Sequence, residues 1–583
     1  MAPNHSNEEN SHNSLPCPIL RVEDYDIHPK TGFLPPNPPL TRLPDLYYSP
    51  WEQVIDSYHD LMLAGRLGES INMLPILETD HLKSIPEYRR AFLILSILAH
   101  GFVWGKYEAV RDVLPACIAI PWVKVSNVLE IAPICNHAAV VLWNWRLIFP
   151  DAPFDLKYDV FAMEIYYLPV NNSIDIRNNF LPFFESNLAT LITFTNTSDE
   201  GWFYLVTTTI EAIGGRALNA IILALEAVRD RDNFKLMSAL MVICSAMKDI
   251  NETLQRMFDK CDPYIFYWKV RPYLSGWENE DRLPKGLIYE GVDQPDEYGN
   301  PVYRQYAGGS AGQSALIQAI DIALNVEHYP TGVKTGITNN KVFSSEVKEH
   351  TREEPNGNCY AASSINSLSN ASSCYHLRIQ NHQQQLEFEK MSSNASNNNK
   401  PQQPYLHKIR QNIPGPHRRF LEDLAKIANI RQYILTRTKF PLDDKVQGLD
   451  DDDLVKAYND CLNEMKNFRN KHLQIVSTYI VIQSHRGGGH FHTKNPYLAK
   501  CPVSTITHNT TTNIPITAIN NNSTTNTMST CVSVTHLKTK DARITSKTIT
   551  NGSDLDLKGT GGTNLMPFLK QMRDETIAKE IGS

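Results

Sequence analysis

The 583-residue chain lacks several features that mark common classes of protein. No run of about 18 apolar residues occurs, so the sequence predicts no membrane-spanning segment. None of the ten cysteines stands in a CxxC pair, which argues against a zinc ribbon or a cysteine-bound cluster. A long basic stripe is also missing, and the 56 basic and 63 acidic residues give a net charge of −7. Nucleic acid is therefore not an expected partner.

The cellular compartment is indicated by two further features. The N-terminal residues MAPNHSNEENSHNSLP contain no apolar signal region. Cys117 and Cys244 lie within apolar segments, where a reduced thiol serves as a small hydrophobic side chain. Reduced cysteines are typical of intracellular proteins. We therefore expect a cytoplasmic protein without a membrane anchor.

Changes in composition divide the chain. Two tracts rich in Asn, Ser, Thr and Gln are too polar to bury a core, which predicts disordered insertions. Elsewhere the apolar residues follow the helical period, and strand-like alternation is scarce. The sequence thus predicts an all-α fold with two domains. Its parts are a disordered or extended arm (1–40), a small helical domain (41–132), a large helical domain (133–330 and 405–483), insertions (331–404 and 484–556) and a C-terminal segment (557–583).

Several helices carry specific expectations. The pattern predicts helical structure from Trp51 to about Lys106, a break at Pro115 and Pro121, and a further helical block over 131–145. The segment 203–230 is also helical in pattern.

Two adjacent glycines, Gly214 and Gly215, lie in the middle of the segment 203–230. Each costs about 1 kcal/mol relative to alanine within a helix. Such a cost predicts close approach of another helix or of a flat ligand.

One histidine, His472, lies in the apolar stripe of a helix predicted over 454–483. Burying its ring without a partner would cost about 1–3 kcal/mol, so a carbonyl, a carboxylate or a metal is expected beside it. The helix pattern alone favours a hydrogen-bonded core histidine over an axial haem ligand. The stripe consists of Leu454, Tyr458, Cys461, Met465, Phe468, His472, Ile475 or Val476, and Tyr479.

Four other segments allow either a functional or a purely structural interpretation. The glycine-rich run YAGGSAGQS at 306–314 allows a close approach of the backbone to a ligand or is a simple connection. It is not a P-loop, because no GK[ST] follows. The run KGTGGT at 558–563 is a hinge or a substrate-covering loop. Arg271, which follows the aromatic run from Phe266, either binds a carboxylate or makes an ordinary cation–π contact. Phe203 and its aromatic neighbours line a pocket or belong to the core.

Taken together, these segments resemble the indoleamine 2,3-dioxygenase family, and most closely its fungal members. The resemblance covers residues 40–330, 405–483 and 557–583, whereas the two polar tracts have no counterpart in the shorter members. It rests on VWGKYEAVRDVLP at 103–115, YLSGW at 273–277, AGGSAGQS at 307–314, HLQIV at 472–476 and KGTGGT at 558–563.

The resemblance implies a two-domain helical haem protein with haem b, in the ferrous state, as its cofactor and O2 as its co-substrate. It implies insertion of both oxygen atoms across the indole C2–C3 bond of L-tryptophan, giving N-formylkynurenine. This reaction is the first step of the kynurenine route toward NAD. A reductant for ferric haem is implied as a partner, and we expect a monomer.

The resemblance also assigns roles on the proximal side of the haem. His472 matches the proximal iron ligand, and Asp321 matches the carboxylate whose contacts steady that histidine. Arg469 matches a basic residue near a haem propionate.

On the distal side, the resemblance implies that Phe203 and Phe266 enclose the indole ring of the substrate. Arg271 matches the arginine that binds the substrate carboxylate. Ser310 and Ala311 match the loop that covers the distal face. No residue matches an obligate catalytic acid or base.

Three further positions complete the expected site. Thr560 matches a threonine near the substrate ammonium group. Thr207 stands where mammalian members have a serine, and His137 stands where they have a tyrosine. His137 is either a distal residue that tunes oxygen polarity or holds the indole N–H, or a hydrogen-bonded structural histidine.

These departures leave room for other classes of function. One alternative is a haem-binding regulatory protein with little turnover. Another is a haem-free helical scaffold whose polar tracts recruit partners.

Overall fold

The computed structural model describes residues 20–105, 110–149, 187–329, 405–439, 451–486, 557–560 and 564–582. The disorder predicted for 1–19, for 331–404 and for most of 484–556 lies outside the described residues. Residues 484–486 belong to the end of a helix rather than to an insertion.

The N-terminal arm is packed from residue 20 onward, so the prediction of disorder is wrong for 20–40, whereas the alternative of an extended arm stays a prediction. A 3-10 turn spans Val22–Tyr25, and the Tyr25 hydroxyl donates to Asp423 Oδ2 at 2.8 Å. Phe33 and Leu34, from the proline cluster, are buried. The centroid of the Phe33 ring lies 4.7 Å from that of the His417 ring. The proline cluster therefore packs against the rest of the protein through its apolar side chains.

Within the described residues 20–105 and 110–128, five α-helices form the N-terminal part of the fold, and the fourth of them is buried almost throughout. They are α1 (Ser49–Asp56), α2 (Tyr58–Leu63), α3 (Leu67–Asn72), α4 (Ile85–Trp104) and α5 (Ala116–Val128).

Pro121 lies inside α5, so the break predicted there is wrong. An interior proline costs a helix about 3 kcal/mol. The cost is offset by burial, because Ile118, Trp122 and Val125 are fully enclosed and α5 packs against α4. Pro115 does mark a boundary, since it is the N-cap residue of α5.

The C-terminal part is built on a pair of long helices, α6 and α7, which pack along each other. The Thr197 hydroxyl caps α6 by accepting from the Glu200 N–H at 3.3 Å. Helix α14 packs along α7 and along α16. The helices are α6 (Ser198–Asp230), α7 (Asn233–Gln255), α8 (Met257–Lys260), α9 (Pro263–Ile265), α10 (Ala315–Ala323), α11 (Tyr405–Lys408), α12 (Gly415–Ile427), α13 (Ile430–Lys439), α14 (Asp451–Val476), α15 (Ile482–Arg486) and α16 (Leu565–Ile577).

Two small sheets accompany the helices, and the all-α class is confirmed. One sheet has the order β1-β4-β5, with β1 parallel to β4 and β4 antiparallel to β5. The other pairs β2 and β3 antiparallel. The strands are β1 (Val113–Leu114), β2 (Trp145–Leu147), β3 (Leu188–Thr190), β4 (Leu287–Tyr289) and β5 (Tyr303–Arg304).

The helical block predicted over 131–145 is wrong. Only a π-helical turn, Ala138–Leu142, forms there, and β2 follows it. The Asn144 side chain explains the change, because it donates to the Ile192 carbonyl at 2.8 Å and accepts from the Ile192 N–H at 2.9 Å. This pairing commits the chain to the sheet.

The glycine pair of α6 meets close neighbours, as predicted. A Cβ atom at Gly215 would lie 2.6 Å from both Gly32 N and Lys30 O, which belong to the N-terminal arm. One at Gly214 would meet the side chain of Leu316 on α10 at 2.2 Å. The approaching groups are therefore an irregular segment and a helix of the same chain.

A buried histidine of α4, His100, joins the N-terminal helices to the C-terminal part. His100 Nδ1 lies 2.7 Å from the Tyr273 carbonyl oxygen. His100 Nε2 accepts a hydrogen bond from the Cys135 N–H at 3.0 Å. An N–H can only donate, so the ring proton lies on Nδ1. Burial lowers the pKa of His100 to about 4. Residues of both predicted domains share one apolar core, and the division at residue 132 stays a prediction.

Among the described residues, α6 is the one helix long and apolar enough to cross a membrane by length and composition. Most of its apolar part is buried inside the protein. Core helices of water-soluble proteins pass the same test, so this is weak evidence for a membrane span.

The close approach at Gly215 predicts that Gly215→Ala destabilises the protein. Its Cβ would press on backbone atoms of the arm, and overpacking of this kind costs about 1–3 kcal/mol. Gly201→Ala is the matched control in the same helix, because its Cβ would meet only Thr190 Oγ1, at 3.7 Å. We expect a lower urea midpoint for Gly215→Ala and an equal or higher midpoint for the control. Equal midpoints for Gly215→Ala and the wild type would contradict the packing described.

Candidate active site

A mostly apolar cavity of about 260 Å³ lies between α6, α10, α14 and α16. Its wall is completed by the π-helical turns Ala138–Leu142 and Phe266–Val270, by the glycine-rich run and by residues 559–560. Every site residue predicted from the sequence borders this cavity, namely His137, Phe203, Thr207, Phe266, Arg271, Ser310, Ala311, Asp321, Arg469, His472 and Thr560. The structure thus brings these residues together, and their individual roles stay predictions.

The His472 ring has no hydrogen bond to any of the described residues. It is enclosed by protein, and the surface that it leaves accessible borders the cavity. Burial is the main cause and the charge of Arg469 the lesser cause that lower the pKa of His472 to about 4. The ring is therefore neutral at physiological pH, with a nitrogen lone pair available. A core histidine satisfied by a carbonyl or carboxylate is not what this part of the structure contains.

Asp321 pairs with Arg469 and not with the His472 ring in the described structure, and its predicted role in steadying His472 stays a prediction. The Arg469 guanidinium donates through Nη2 to Asp321 Oδ1 at 2.6 Å and to Oδ2 at 2.8 Å. Burial would raise the pKa of Asp321, but the charges of Arg469 and His328 outweigh it and lower that pKa. The guanidinium is the stronger partner for the carboxylate. Asp321 is thereby tied to Arg469, which precedes His472 by about one turn of α14.

Arg469 is itself incompletely satisfied. It is buried, and Nη1 donates to Thr576 Oγ1. Its Nε–H has no partner among the residues that the structure describes. Since an unpaired buried donor costs about 1–3 kcal/mol and Arg469 borders the cavity, this N–H fits a carboxylate of a bound group. The predicted contact of Arg469 with a haem propionate stays a prediction.

Phe203 and Phe266 contact each other and form one wall of the cavity. Their ring centroids are 4.6 Å apart at an interplanar angle of 41°. A flat ring stacked between two others needs a separation of about 7 Å, twice the contact distance of about 3.5 Å. In this structure the two rings leave no gap for a third ring and present one aromatic surface, and the predicted position of the indole ring stays a prediction. The ring of Tyr479 extends this surface, 5.8 Å from Phe266.

His137 forms a buried pair with an acidic residue that sequence reasoning missed. His137 Nε2 lies 2.8 Å from Glu211 Oε1, which also accepts from the Ser314 hydroxyl at 2.6 Å. Of the two interpretations of His137, these contacts favour the hydrogen-bonded structural one. Glu211 follows Phe203 and Thr207 at steps of four residues, so the three lie on one face of α6. An acidic residue on that face was the sequence signal that could have identified Glu211 as a member of the site.

The Thr207 hydroxyl is committed to its own helix. It donates to the Phe203 carbonyl at 3.0 Å. Its oxygen lone pairs remain as the part of the group that can face a ligand.

Arg271 brings a positive charge to the border of the cavity. Its Nη2 donates to the Lys558 carbonyl at 2.7 Å, and the guanidinium lies 5.4 Å from the centroid of the Tyr267 ring. The cation–π interpretation is confirmed, whereas binding of a carboxylate by Arg271 at the border of the pocket stays a prediction. Its carbonyl partner belongs to the segment 557–560.

The segment 557–560 lies against the glycine-rich run. The Thr560 hydroxyl donates to the Gly309 carbonyl at 2.5 Å, and the Gly308 N–H donates to the Thr560 carbonyl at 3.2 Å. The run turns sharply after Ser310, which caps the 3-10 turn Ala311–Gln313. Two segments predicted from separate motifs therefore meet over one cavity. Residues 561–563 of the KGTGGT motif lie outside the described residues.

Gly308 explains the composition of the run. A Cβ there would lie 2.2 Å from the Leu274 carbonyl and 2.3 Å from Gly276 N. The backbone does approach another group closely, but that group is the YLSGW segment of the same chain, and the predicted approach to a ligand stays a prediction.

The side chains around the cavity fit haem. A neutral imidazole suits an axial position on iron. The apolar walls suit a porphyrin, and the unpaired Arg469 Nε–H suits a propionate.

Comparison with known proteins agrees with this geometry. The family model described as Indoleamine 2,3-dioxygenase matches residues 21–579. The chain is 30% identical over 570 residues to "Indoleamine 2,3-dioxygenase" of Saccharomyces cerevisiae, which covers 97% of this chain and 94% of the relative. It is 30% identical over 464 residues to "Indoleamine 2,3-dioxygenase nanC" of Aspergillus nanangensis, and this match covers 79% of this chain and 87% of the relative. It is 28% identical over 473 residues to "Indoleamine 2,3-dioxygenase 1" of Rattus norvegicus, and this match covers 80% of this chain and 87% of the relative.

The resemblance found in five short motifs therefore extends over nearly the whole chain, including the segments that form the cavity. The chain belongs to the indoleamine 2,3-dioxygenase family and is a dioxygenase enzyme.

Proposed function

We propose that this enzyme inserts both atoms of O2 across the indole C2–C3 bond of L-tryptophan and releases N-formylkynurenine. The observation that carries the proposal is the neutral ring of His472, which has no hydrogen-bond partner among the described residues and lies in an apolar cavity that also holds a guanidinium. Family membership supports the same reaction. In this proposal the reaction begins the kynurenine route toward NAD, in the cytoplasm. The five described cysteines are free and buried, which suits a reducing compartment.

Haem b is the cofactor in this proposal. His472 would hold the iron through a ring nitrogen, and the Arg469 Nε–H would bind a propionate. When bound, haem supplies the iron chemistry that activates O2. A reductant that keeps the iron ferrous is the implied partner.

The side chains of the cavity would bind and orient tryptophan. The wall of Phe203, Phe266 and Tyr479 would pack against one face of the indole ring. The positive charge of Arg271 would attract the substrate carboxylate. The Thr560 oxygen, whose proton is directed at Gly309, keeps lone pairs that can accept from an ammonium group.

Proximity, rather than proton transfer from a side chain, would then accelerate the reaction. The resemblance assigns no obligate acid or base to the cavity, and His137 is held by Glu211. Holding the indole ring against the aromatic wall restricts its orientation, which is worth up to about 7–11 kcal/mol in favourable cases.

His472→Ala should abolish haem binding and product formation, because the cavity offers no other imidazole that lacks a partner in the part of the chain that the structure describes. Haem absorbance of the purified protein and formylkynurenine release would be measured together. His81→Gln, at an exposed histidine of the N-terminal part, is the control and should match the wild type. A His472→Ala protein with normal haem absorbance and turnover would remove the assignment.

Arg271→Ala should raise the KM for L-tryptophan with a smaller effect on kcat. Loss of a charge-assisted hydrogen bond of about 1.5–3 kcal/mol corresponds to about a tenfold to hundredfold fall in kcat/KM. Arg229→Ala, at an exposed arginine paired with Asp230, serves as the control.

Tryptamine, which lacks the carboxylate, sharpens the test of Arg271. Its turnover should be equally slow with the wild type and with Arg271→Ala. An unchanged KM for tryptophan in the variant would place carboxylate binding elsewhere.

A further inference from the structure

His328 lies between two carboxylates that come from different helices. Its Nδ1 is 2.7 Å from Glu575 Oε2 of α16, and its Nε2 is 3.1 Å from Asp321 Oδ2 of α10. A neutral imidazole carries one N–H and can donate to only one of them. An imidazolium donates to both, so the geometry suits the protonated ring.

The charges around His328 favour the same state. Arg469 Nη2 of α14 lies 3.2 Å from His328 Nε2 and is bonded to Asp321. With an imidazolium, this buried cluster holds two positive and two negative charges. A neutral ring that accepted from Arg469 would leave a buried net negative charge, which is costly.

The direction of the pKa shift agrees with this charge balance. Burial would lower the pKa of His328, but the charge of Asp321 and the hydrogen bonds to Asp321 and Glu575 outweigh it and raise that pKa. Arg469 opposes the shift. His407, near the cluster on α11, has its pKa lowered by burial, by Arg410 and by His328. The nearby ion pair of Glu327 and Lys579 is balanced in charge.

Helix α16 carries the cavity wall and the cluster on the same face. Leu565, Phe568, Leu569 and Met572 border the cavity, at spacings of one helical turn. Glu575 and Thr576 continue that face, and they contact His328 and Arg469. Gln571 and the Tyr329 N–H both donate to Glu575 Oε1, at 2.7 and 3.2 Å. The cluster therefore fastens the polar end of a helix whose other end forms the wall.

We propose that His328 is a positioning residue whose imidazolium clamps α16 against α10 and α14, so that loss of its proton loosens the cavity wall. The clamp concerns this chain's own helices, and only its consequence for tryptophan binding rests on the proposed function. Nothing in the family motifs quoted above includes His328 or Glu575.

The sign of the pH dependence follows from linkage. A group whose pKa is raised on folding stabilises the folded arrangement fully below its unfolded pKa of about 6.5. That contribution is lost as the pH rises through the folded pKa. The equilibrium for opening of α16 should therefore increase with pH, by up to about tenfold per pH unit between those two values.

Hydrogen exchange of the full-length protein, followed by mass spectrometry, measures this opening in peptides covering Leu565–Ile577. Rates would be corrected for intrinsic exchange from about pH 6 to about pH 9. We expect protection of α16 to fall with pH in the wild type, and to be weak and independent of pH in His328→Gln. His81→Gln is the matched control, because His81 also pairs with a carboxylate, Asp45 at 3.3 Å, but is exposed and distant in sequence.

Glu575→Gln keeps the test decisive if His328→Gln fails to fold. With one carboxylate removed, a neutral His328 leaves Asp321 and Arg469 in charge balance. The variant should fold and lose the pH dependence of α16 protection. The proposal would be overturned if protection of α16 in the wild type did not change with pH. It would also be overturned if protection in Glu575→Gln fell with pH as steeply as in the wild type.

Kinetics separate the clamp from the proposed reaction. The KM for tryptophan should rise with pH in the wild type and less so in Glu575→Gln. An exchange profile that changes as expected in a protein without any tryptophan turnover would support the clamp and contradict the proposed function.

Discussion

The arrangement of the cavity depends on one neutral imidazole, that of His472, held among apolar side chains without a hydrogen-bond partner among the described residues. Such a group costs free energy unless a ligand satisfies it. Burial keeps the ring unprotonated, so its lone pair is available to a metal. The helix α14 that carries it also carries Arg469, whose Nε–H is likewise unpaired in the described structure. His472 and Arg469, one turn apart on α14, are thus the residues that would hold a haem.

Electrostatic pairing links this proximal side to the outer helices. Arg469 holds Asp321 of α10 and Thr576 of α16 at once. His328 then joins Asp321 to Glu575. The helix that carries the proposed iron ligand is therefore fixed by charges on two other helices. A change in either neighbour would reach His472 through Arg469 rather than through a bond to its ring.

The sequence predicted the helical class, the packing around Gly214 and Gly215 and the residues that border the cavity, because helical periodicity and short motifs are local signals. Contacts between distant segments were not predictable. His328 and Glu575 are 247 residues apart, and no periodic pattern reports their pairing. The contact of Phe203 with Phe266 depends on the rotation of two separate helical segments. Pro121 broke a local rule, since burial of its neighbours outweighed the propensity of a single residue.

The central claim is that His472 holds a haem in a cavity that receives tryptophan. The most direct test is the anaerobic absorption spectrum of the haem-reconstituted ferrous protein, followed by addition of O2 and L-tryptophan. The account predicts a five-coordinate ferrous haem spectrum and the appearance of formylkynurenine. A protein that binds no haem would contradict the claim at His472. A normal haem spectrum without product would contradict the proposed reaction and favour a haem-binding regulatory role.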